Sequence, residues 1–281
     1  MTVQQILSQA TFELEKNKIE TPRLDSEILL AFVLKCNRLK LYTDAEKILS
    51  VDELKIFQNL IEKRVKKIPV AYLTGNKEFF GLNFFVNENV LIPRPDTEIL
   101  TQFAIENLDG EKFFADLGTG SGAICISVCK FVKDAVGCAV DISENALEVA
   151  KFNAKKFGVD DRINFFCGNL FEPLTGKKFD AIISNPPYIP TADLKNLQAE
   201  VKTEPELALD GGADGLNFYR KIISVAPEFL NFGGFLAFEI GINQSEKVKK
   251  IFSENNFCEV EIFQDLSGID RVIAARWKNA D

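Results

Sequence analysis

The sequence predicts an α/β fold in which a mostly parallel sheet is wrapped by helices, with a small helical domain before it. Three observations lead to this prediction. From residue 96 onward, apolar runs of strand length alternate with helical stretches, a pattern typical of a parallel sheet covered on both faces. Residues 1–75 instead carry apolar side chains at helical spacing and little strand signal. No apolar run approaches the roughly 20 residues that a membrane helix needs.

The helical domain, residues 1–75, contains three predicted helices. The apolar face of the first helix comprises Val3, Ile6, Leu7, Ala10 and Leu14, at spacings of three and four. The second helix begins at Thr21-Pro22, because proline suits the first helical turn. Its predicted apolar face comprises Leu24, Ile28, Leu29 and Phe32. The third helix covers residues 52–67, with Leu54, Phe57, Leu60 and Ile61 on one face.

Residues 76–95 are predicted to connect this domain to the next. The stretch Glu78–Val86 contains two short apolar runs around Gly81, which predicts a hairpin. The prolines of VLIPRPDTE, residues 90–98, exclude a helix until Asp96 or Thr97 can cap one. The α/β domain is therefore expected to span residues 96–281.

Seven strands are predicted in the α/β domain. They are Phe113–Asp116, Ala135–Asp141, Ile163–Cys167, Phe179–Ser184, Phe235–Ile240, Val260–Phe263 and Arg271–Ala275. Helical stretches such as Glu144–Phe157 and Leu216–Leu230 lie between strands. Parallel neighbours place their carboxyl ends at one edge of the sheet, where the ligands of open α/β sheets bind.

The composition excludes several classes of site. The chain has no His, which excludes Ser-His-Asp triads, imidazole proton shuttles and most zinc sites, so no metal is expected. Its six Cys form no C-x-x-C pair and are interpreted as small core residues. Residues 76–281 hold 21 Lys and Arg against 31 Asp and Glu, which argues against a broad nucleic-acid footprint. The N-terminus lacks the features of a signal peptide, so a cytoplasmic location is expected.

A glycine-rich turn follows the first strand of the α/β domain. In FFADLGTGSGAI, residues 113–124, the turn consists of Gly118, Thr119, Gly120, Ser121 and Gly122. Such glycines let the backbone approach a ligand closely and let the next helix pack against the strand. No G-K-[ST] closes the turn, so it is not a phosphate loop. Glycine turns also link many strands to helices without binding anything.

Two further strand ends favour a pocket for an adenosine-bearing cofactor. Asp141 ends the next strand, 25 residues after the aspartate that precedes the glycine turn, where a carboxylate can accept hydrogen bonds from both ribose hydroxyls. The alternative is a helix cap, for which Ser143 is at least as suitable. In GNLF, Asn169 can reach an adenine amino group while Leu170 or Phe171 covers the ring, although an ordinary turn is the alternative. These positions leave NAD open as the cofactor.

The stretch SNPPYIP, residues 184–190, follows the fourth strand. Its prolines could simply end that strand, with Tyr188 as an aromatic residue at the rim. The functional interpretation is a site for a planar NH2 group, because the Asn185 side-chain oxygen and the Pro186 carbonyl can each accept one N–H. Proline holds that carbonyl rigidly, and Tyr188 can stack on the flat group. A nicotinamide enzyme would need an acid/base group here, and no His exists to supply one.

The NPPY stretch resembles the N/D-P-P-Y/F motif of amino-methyltransferases that use S-adenosylmethionine, and the glycine turn resembles their first motif. Further blocks extend the resemblance: RLDSEILL (23–30), PVAYLTGNKEFFGLNFFV (69–86), VLIPRPDTEIL (90–100), EPELALDGGADGLNFYRKI (204–222) and Asp270-Arg271. With these blocks the chain resembles the peptide chain release factor glutamine methyltransferases, the HemK/PrmC family.

This resemblance implies a class I S-adenosylmethionine-dependent methyltransferase fold: a Rossmann-like, mostly parallel sheet with a late antiparallel strand. It implies methylation of N5 of the glutamine in the GGQ loop of class I release factors, which modulates translation termination, with the helical domain recognising that substrate. The cofactor S-adenosylmethionine would contact Gly118, Thr119, Gly120, Ser121, Gly122, Asp141, Asn169, Leu170 and Asn185. The glutamine would be held by Asn185, Pro186, Pro187 and Tyr188, of which Asn185, Pro186 and Tyr188 would be catalytic.

Several alternatives stay open. Arg94, Pro95 and Thr97 would either roof the pocket or form a structural turn. A sister family methylates a glutamine of ribosomal protein L3, although the P-R-P-D-T-E block here matches the release-factor type. A nucleic-acid adenine N6 methyltransferase and a cofactor-binding module without activity are the other candidates. We expect a monomer that binds neither membrane nor nucleic acid directly.

Overall fold

The computed structural model describes residues 1–108 and 112–278, which form two compact units. The helical unit comprises Met1–Asn76 together with Gln198–Thr203, a short segment from much further along the chain. The larger unit comprises Lys77–Leu197 and the described chain from Glu204 onward. Among the described helices, none is both long enough and apolar enough to cross a membrane.

The helical unit contains five helices: α1 (Val3–Lys16), α2 (Pro22–Val33), α3 (Arg38–Thr43), α4 (Val51–Val65) and α5 (Val70–Thr74). Helices α1 and α4 begin with capping boxes at Thr2 and Ser50. In each, the hydroxyl accepts the backbone N–H of the residue three positions later, and the side chain of that later residue accepts the backbone N–H of the cap. The buried face of α1 is the predicted one, and α2 begins at the predicted proline. The sequence did not indicate α3 or α5, because one or two turns are too short to show a period.

The predicted apolar face of α2 is wrong in part. Leu24 and Phe32 are 38% and 44% exposed, whereas Asp25 and Glu27 are buried. Asp25 accepts a 2.7 Å hydrogen bond from the guanidinium of Arg64, which is itself buried. Glu27 accepts hydrogen bonds from two arginines and a tyrosine. Since buried charges must be paired, these partners explain why two carboxylates occupy the inner face.

A hairpin and a seven-stranded sheet follow. The hairpin strands are β1 (Asn76–Phe79) and β2 (Leu82–Phe85), on either side of Gly81 as predicted. The described strands of the main sheet are β3 (Phe113–Leu117), β4 (Val136–Asp141), β5 (Ile163–Cys167), β6 (Phe179–Ser184), β7 (Leu230–Glu239), β8 (Phe257–Gln264) and β9 (Asp270–Trp277). The helices are α6 (Thr97–Asn107), α7 (Ala123–Phe131), α8 (Glu144–Phe157), α9 (Asn217–Val225) and α10 (Ser245–Glu254).

The strand order β5-β4-β3-β6-β7-β9-β8 confirms the predicted sheet. Strand β9 runs antiparallel to both of its neighbours, and the other pairs are parallel. Strand β3 has β4 on one side and β6 on the other, so the strand order reverses there. A crevice opens at such a switch point, beside the carboxyl ends of the strands.

Successive residues of the central strands enter different cores, as the alternation of side chains in a strand requires. Phe114 packs in the cluster that holds α6 and α7, and Ala115 packs in the cluster that holds α9 and α10. Of the six cysteines, Cys125, Cys129 and Cys138 are buried as predicted, Cys36 and Cys258 are partly exposed, and Cys167 is exposed.

Two predicted helix ends need correction. The helix predicted over Leu216–Leu230 is shorter, because α9 ends at Val225 and Leu230 already begins β7. Asp96 occupies the cap position of α6 without capping it. Its carboxylate instead lies 3.1 Å from the guanidinium of Arg271.

Candidate active site

The glycine turn after β3 has the backbone geometry that only glycine adopts without strain. Gly118, Gly120 and Gly122 have φ values of 75°, 55° and 80°. A Cβ atom at Gly122 would lie 2.6 Å from the Ile126 Cδ1 atom and 3.2 Å from the Ala150 Cβ atom, so this glycine permits close packing of the turn. A Cβ atom at Gly118 or Gly120 would meet nothing within 4 Å. These two glycines therefore leave open space beside the backbone of the turn.

The side chains between the glycines point into the protein. Thr119 and Ser121 are both buried, and the Thr119 hydroxyl donates a 2.7 Å hydrogen bond to Asp116. The Ser121 carbonyl accepts a 3.0 Å hydrogen bond from Asn153. The Thr119 backbone N–H donates to the Val140 carbonyl at 2.9 Å, so neither its side chain nor its N–H is left for a ligand. The predicted cofactor contact of Ser121 is left to its backbone.

Asp116 is a buried acid that the sequence analysis used only as a reference point. One oxygen, Oδ2, accepts hydrogen bonds from Thr119 and from the Cys125 backbone N–H. The other oxygen, Oδ1, has no hydrogen-bond partner among the described residues. Burial raises the pKa of Asp116 to about 7. Its place directly before the glycine turn was the signal in the sequence that could have identified it.

Asp116 should make the protein less stable as the pH rises between its unfolded and folded pKa values. The folded pKa of about 7 lies above the ordinary 3.8, so the folded protein holds a proton that the unfolded chain releases, and the free energy of unfolding falls with rising pH. Urea unfolding at a series of pH values gives the slope of the free energy of unfolding against pH. Asp116→Asn should remove the contribution of this carboxyl to that slope, which is up to about 1.4 kcal/mol per pH unit. The exposed Asp193→Asn is the control. An unchanged slope in Asp116→Asn would contradict the prediction.

Asp141, at the end of β4, is tied to the glycine turn. Its Oδ2 accepts a 2.8 Å hydrogen bond from the Gly120 N–H, and its Oδ1 accepts a 2.9 Å bond from the Ser143 N–H. Ser143 caps α8 by accepting from Ala146, so Asp141 is not the cap. Burial raises the pKa of the Asp141 carboxyl. The ribose contact of Asp141 stays a prediction.

The segment Asn169-Leu170 lies beside Asp141, because the Gly168 N–H donates to the Asp141 carbonyl at 3.0 Å. Leu170 has a φ of 53°, which is unusual for a residue with a Cβ atom. The Asn169 side chain is exposed and contacts Glu172 at 3.4 Å. The structure thus places both residues at the sheet edge, and their adenine contact stays a prediction.

The NPPY stretch, residues 185–188, presents two unoccupied acceptors. Both hydrogens of the Asn185 side-chain amide are used: Nδ2 lies 3.1 Å from the Thr97 hydroxyl and 2.9 Å from Glu239 Oε2. Within residues 1–108 and 112–278, no protein donor contacts Asn185 Oδ1 or the carbonyl of Pro186. The two atoms that the sequence predicted as acceptors therefore keep unused hydrogen-bonding capacity.

Tyr188 is held from several sides. Its hydroxyl donates a 3.2 Å hydrogen bond to Glu239 Oε1, and its carbonyl accepts one from Gln244 at 3.0 Å. A Cβ atom at Gly211 would lie 2.7 Å from Tyr188 Cα, and one at Gly215 would lie 2.3 Å from its carbonyl oxygen. Gly211 and Gly215 are thus needed so that the loop LDGGADG, residues 209–215, can pack against NPPY. Burial and the Glu239 carboxylate raise the pKa of Tyr188.

The three candidates for the pocket roof occupy different surroundings. Thr97 is buried and contacts Asn185 directly. Arg94 lies 2.5 Å from Glu204, whose other oxygen accepts the Ile92 N–H, and Pro95 is exposed. Thr97 therefore joins the NPPY site, while Arg94 braces the segment before α6.

Glu239, the last residue of β7, was missed by the sequence analysis. It is buried and accepts hydrogen bonds from Thr97, Asn185 and Tyr188. Burial raises the pKa of Glu239 to about 7. The signal in the sequence was an acidic residue inside the otherwise apolar run Phe235–Ile240.

Comparison with known proteins gives consistent results. The family model "PrmC N-terminal domain" matches residues 5–75, and "Methyltransferase small domain" matches residues 94–204. The release factor glutamine methyltransferase of Geobacter sulfurreducens is 43% identical, over 98% of this chain and 96% of its own. That of Moorella thermoacetica is 41% identical, over 98% of each chain. A methyltransferase structure from Pyrococcus furiosus, 17% identical, covers 72% of this chain and 92% of its own with a TM-score of 0.54, and so supports the fold.

Proposed function

The chain belongs to the release factor glutamine methyltransferase family, and from this premise we propose that it methylates a release factor. The target is N5 of the glutamine in the GGQ loop of class I release factors, the methyl donor is S-adenosylmethionine, and the result is a modulation of translation termination. Release factors are cytoplasmic translation proteins, so the proposed place of action is the cytoplasm.

The observation that carries this proposal is the pair of free acceptors in NPPY. A primary amide has a planar NH2 group with two hydrogens, and Asn185 Oδ1 and the Pro186 carbonyl can accept one each. Two such bonds fix the plane of the amide and direct the face of its nitrogen. Pro186 is buried and has no N–H of its own, so its carbonyl is held rigidly. Tyr188, fixed by Glu239, can cover the amide plane.

These contacts also address the weak nucleophilicity of an amide nitrogen. Its lone pair is delocalised into the neighbouring carbonyl. Hydrogen bonds from both N–H groups to Asn185 and Pro186 return electron density to the nitrogen. A nitrogen that has gained a methyl group while keeping both hydrogens is strongly acidic, so its proton leaves without a dedicated base. The reaction is therefore compatible with a chain that has no His.

The crevice fits S-adenosylmethionine on two observations. The Oδ1 atom of Asp116, directly before the glycine turn, has no partner among the described residues, and it can accept a hydrogen bond from a donor group of this cofactor. Gly118 and Gly120 leave room that a Cβ atom would fill. When bound, the cofactor would supply an electrophilic methyl group on a sulfonium. Gly118, Gly120 and Asp141 would hold its adenosine side, and Asn169-Leu170 would lie beside the adenine.

Methylation of a purified release factor tests the proposed function. The wild-type protein, incubated with labelled S-adenosylmethionine and a class I release factor, is expected to add one methyl group to the GGQ glutamine, located by mass spectrometry. A release factor with that glutamine changed to alanine is the control. Label on nucleic acid or on ribosomal protein L3 alone would contradict the proposal, and cofactor binding without any transfer would indicate a binding module.

A further inference from the structure

The carboxylate of Glu239 is buried without an ionic partner among the described residues. Its three hydrogen-bond donors are a hydroxyl, an amide and a phenol, all neutral. Arg271 is close enough to lower the pKa of Glu239 electrostatically. Its ion pairs, however, are with Asp96 and Asp265. A buried carboxylate without a cation is costly to the fold. Unpaired buried acids of this kind concentrate at functional sites.

With Glu239 ionised, the hydrogen-bond network around it has one consistent arrangement. The Thr97 hydroxyl has one hydrogen and lies 2.5 Å from Glu239 Oε2, so it donates there. The Thr97 oxygen is then left as an acceptor for Asn185 Nδ2. Both neighbours of Nδ2 are thus acceptors. A flipped Asn185 amide would place its oxygen 2.9 Å from the carboxylate and be repelled.

We propose that Glu239 is a positioning residue that turns the Asn185 oxygen toward the substrate amide and, through Asn185, offsets the positive charge arriving on the substrate nitrogen. This inference rests on the proposed function. Methyl transfer from a sulfonium moves one positive charge onto the nitrogen. A carboxylate that accepts from Nδ2 polarises the Asn185 amide, and its oxygen becomes the stronger acceptor. Preorganised dipoles of this kind act where the charge develops.

The charge on Glu239 should therefore set a pH dependence of turnover. The charged and titratable groups around it are Asp96 before α6, Tyr188 after β6, Tyr219 of α9 and Arg271 of β9. The pKa of Glu239 is raised to about 7 by burial. The kcat of the wild-type protein is expected to rise through this pH as Glu239 ionises. A residue that only braced the fold would produce no such inflection.

Glu239→Gln tests the proposal, because it keeps the shape and removes the charge. We expect kcat to fall by about 100-fold, as for other losses of substrate alignment. The KM for the release factor and the Kd of the cofactor should stay within about threefold of wild type, because Glu239 touches neither the glycine turn nor Asp141. The rise of kcat near pH 7 should disappear. Wild-type kcat, or an inflection retained at the same pH, would overturn the proposal.

A second pair of variants decides the matter if Glu239→Gln fails to fold, which would show as loss of the cooperative unfolding transition in urea. Thr97→Val removes the acceptor for the second Asn185 hydrogen and should lower kcat by about tenfold, while Thr97→Ser should stay within about threefold. Equal kcat values for the two would overturn the proposal. For each variant, kcat is compared with that of the wild type on the same substrate. This substrate is any planar amide or amine that the wild-type protein is found to methylate. An inactive wild type on release factor would thus contradict the proposed function alone.

Discussion

An Asn185→Ala variant is expected to lose methyl transfer to the release factor by about 100-fold to 1000-fold, the range seen when one preorganised hydrogen-bonding group is removed from a transition state. Under the proposed mechanism, the variant would lack the Oδ1 acceptor, so one substrate N–H would have no partner and the plane of the amide would no longer be fixed. Pro186 would remain as the other acceptor. Since the glycine turn and Asp141 lie on neighbouring strands, the variant should still bind S-adenosylmethionine.

Two measurements made together check this prediction: methyl transfer from labelled cofactor, and cofactor binding by calorimetry. Asn196→Ala, at an exposed position outside the site, is the matched control and should behave as wild type. Wild-type turnover in Asn185→Ala would remove Asn185 from the mechanism. Loss of cofactor binding together with turnover would instead mean that Asn185 is mainly a cofactor contact.

An Arg64→Met variant is expected to destabilise the helical unit by about 3–5 kcal/mol, the usual effect of breaking a buried ion pair. The guanidinium of Arg64 is 3% exposed and lies 2.7 Å from Asp25. Removing it leaves the Asp25 carboxylate buried without its cation. Glu200, the other partner at 2.5 Å, is 35% exposed and can turn to solvent, so its share is smaller.

Urea unfolding followed by circular dichroism measures this effect. The double variant Asp25→Leu/Arg64→Met should recover most of the loss, because two packed apolar side chains can replace a buried ion pair. Lys151→Met breaks an exposed ion pair with Glu148 and should change the free energy of unfolding by no more than about 0.5 kcal/mol. A loss below about 1 kcal/mol in Arg64→Met would contradict the argument.

Local patterns predicted the elements and residues whose function depends on near neighbours in the sequence. The face of α1 and the extent of α8 followed from helical period, and the glycine turn and NPPY followed from their place at strand ends. Features that depend on distant pairing could not be read in this way. Glu239 contacts Asn185 although the two residues are 54 positions apart in the sequence, and Thr97 contacts Asn185 from 88 positions away.

The error in α2 has the same cause. Periodicity assigns charged residues to the outer face of a helix, and Asp25 breaks that rule only because Arg64 lies 39 positions later. A single sequence contains both residues but no sign that they meet. The structure supplies that contact.

The segment Gln198–Thr203 has a consequence for synthesis of the protein. Arg64 lies 136 positions before Glu200, so residues Met1–Asn76 cannot complete their own unit until Glu200 has been made. At about 5–20 residues per second, roughly 7 to 27 s pass before Glu200 is made. During that interval the NPPY stretch is also synthesised. The nascent helical unit therefore reaches its final stability only after the NPPY stretch has been translated.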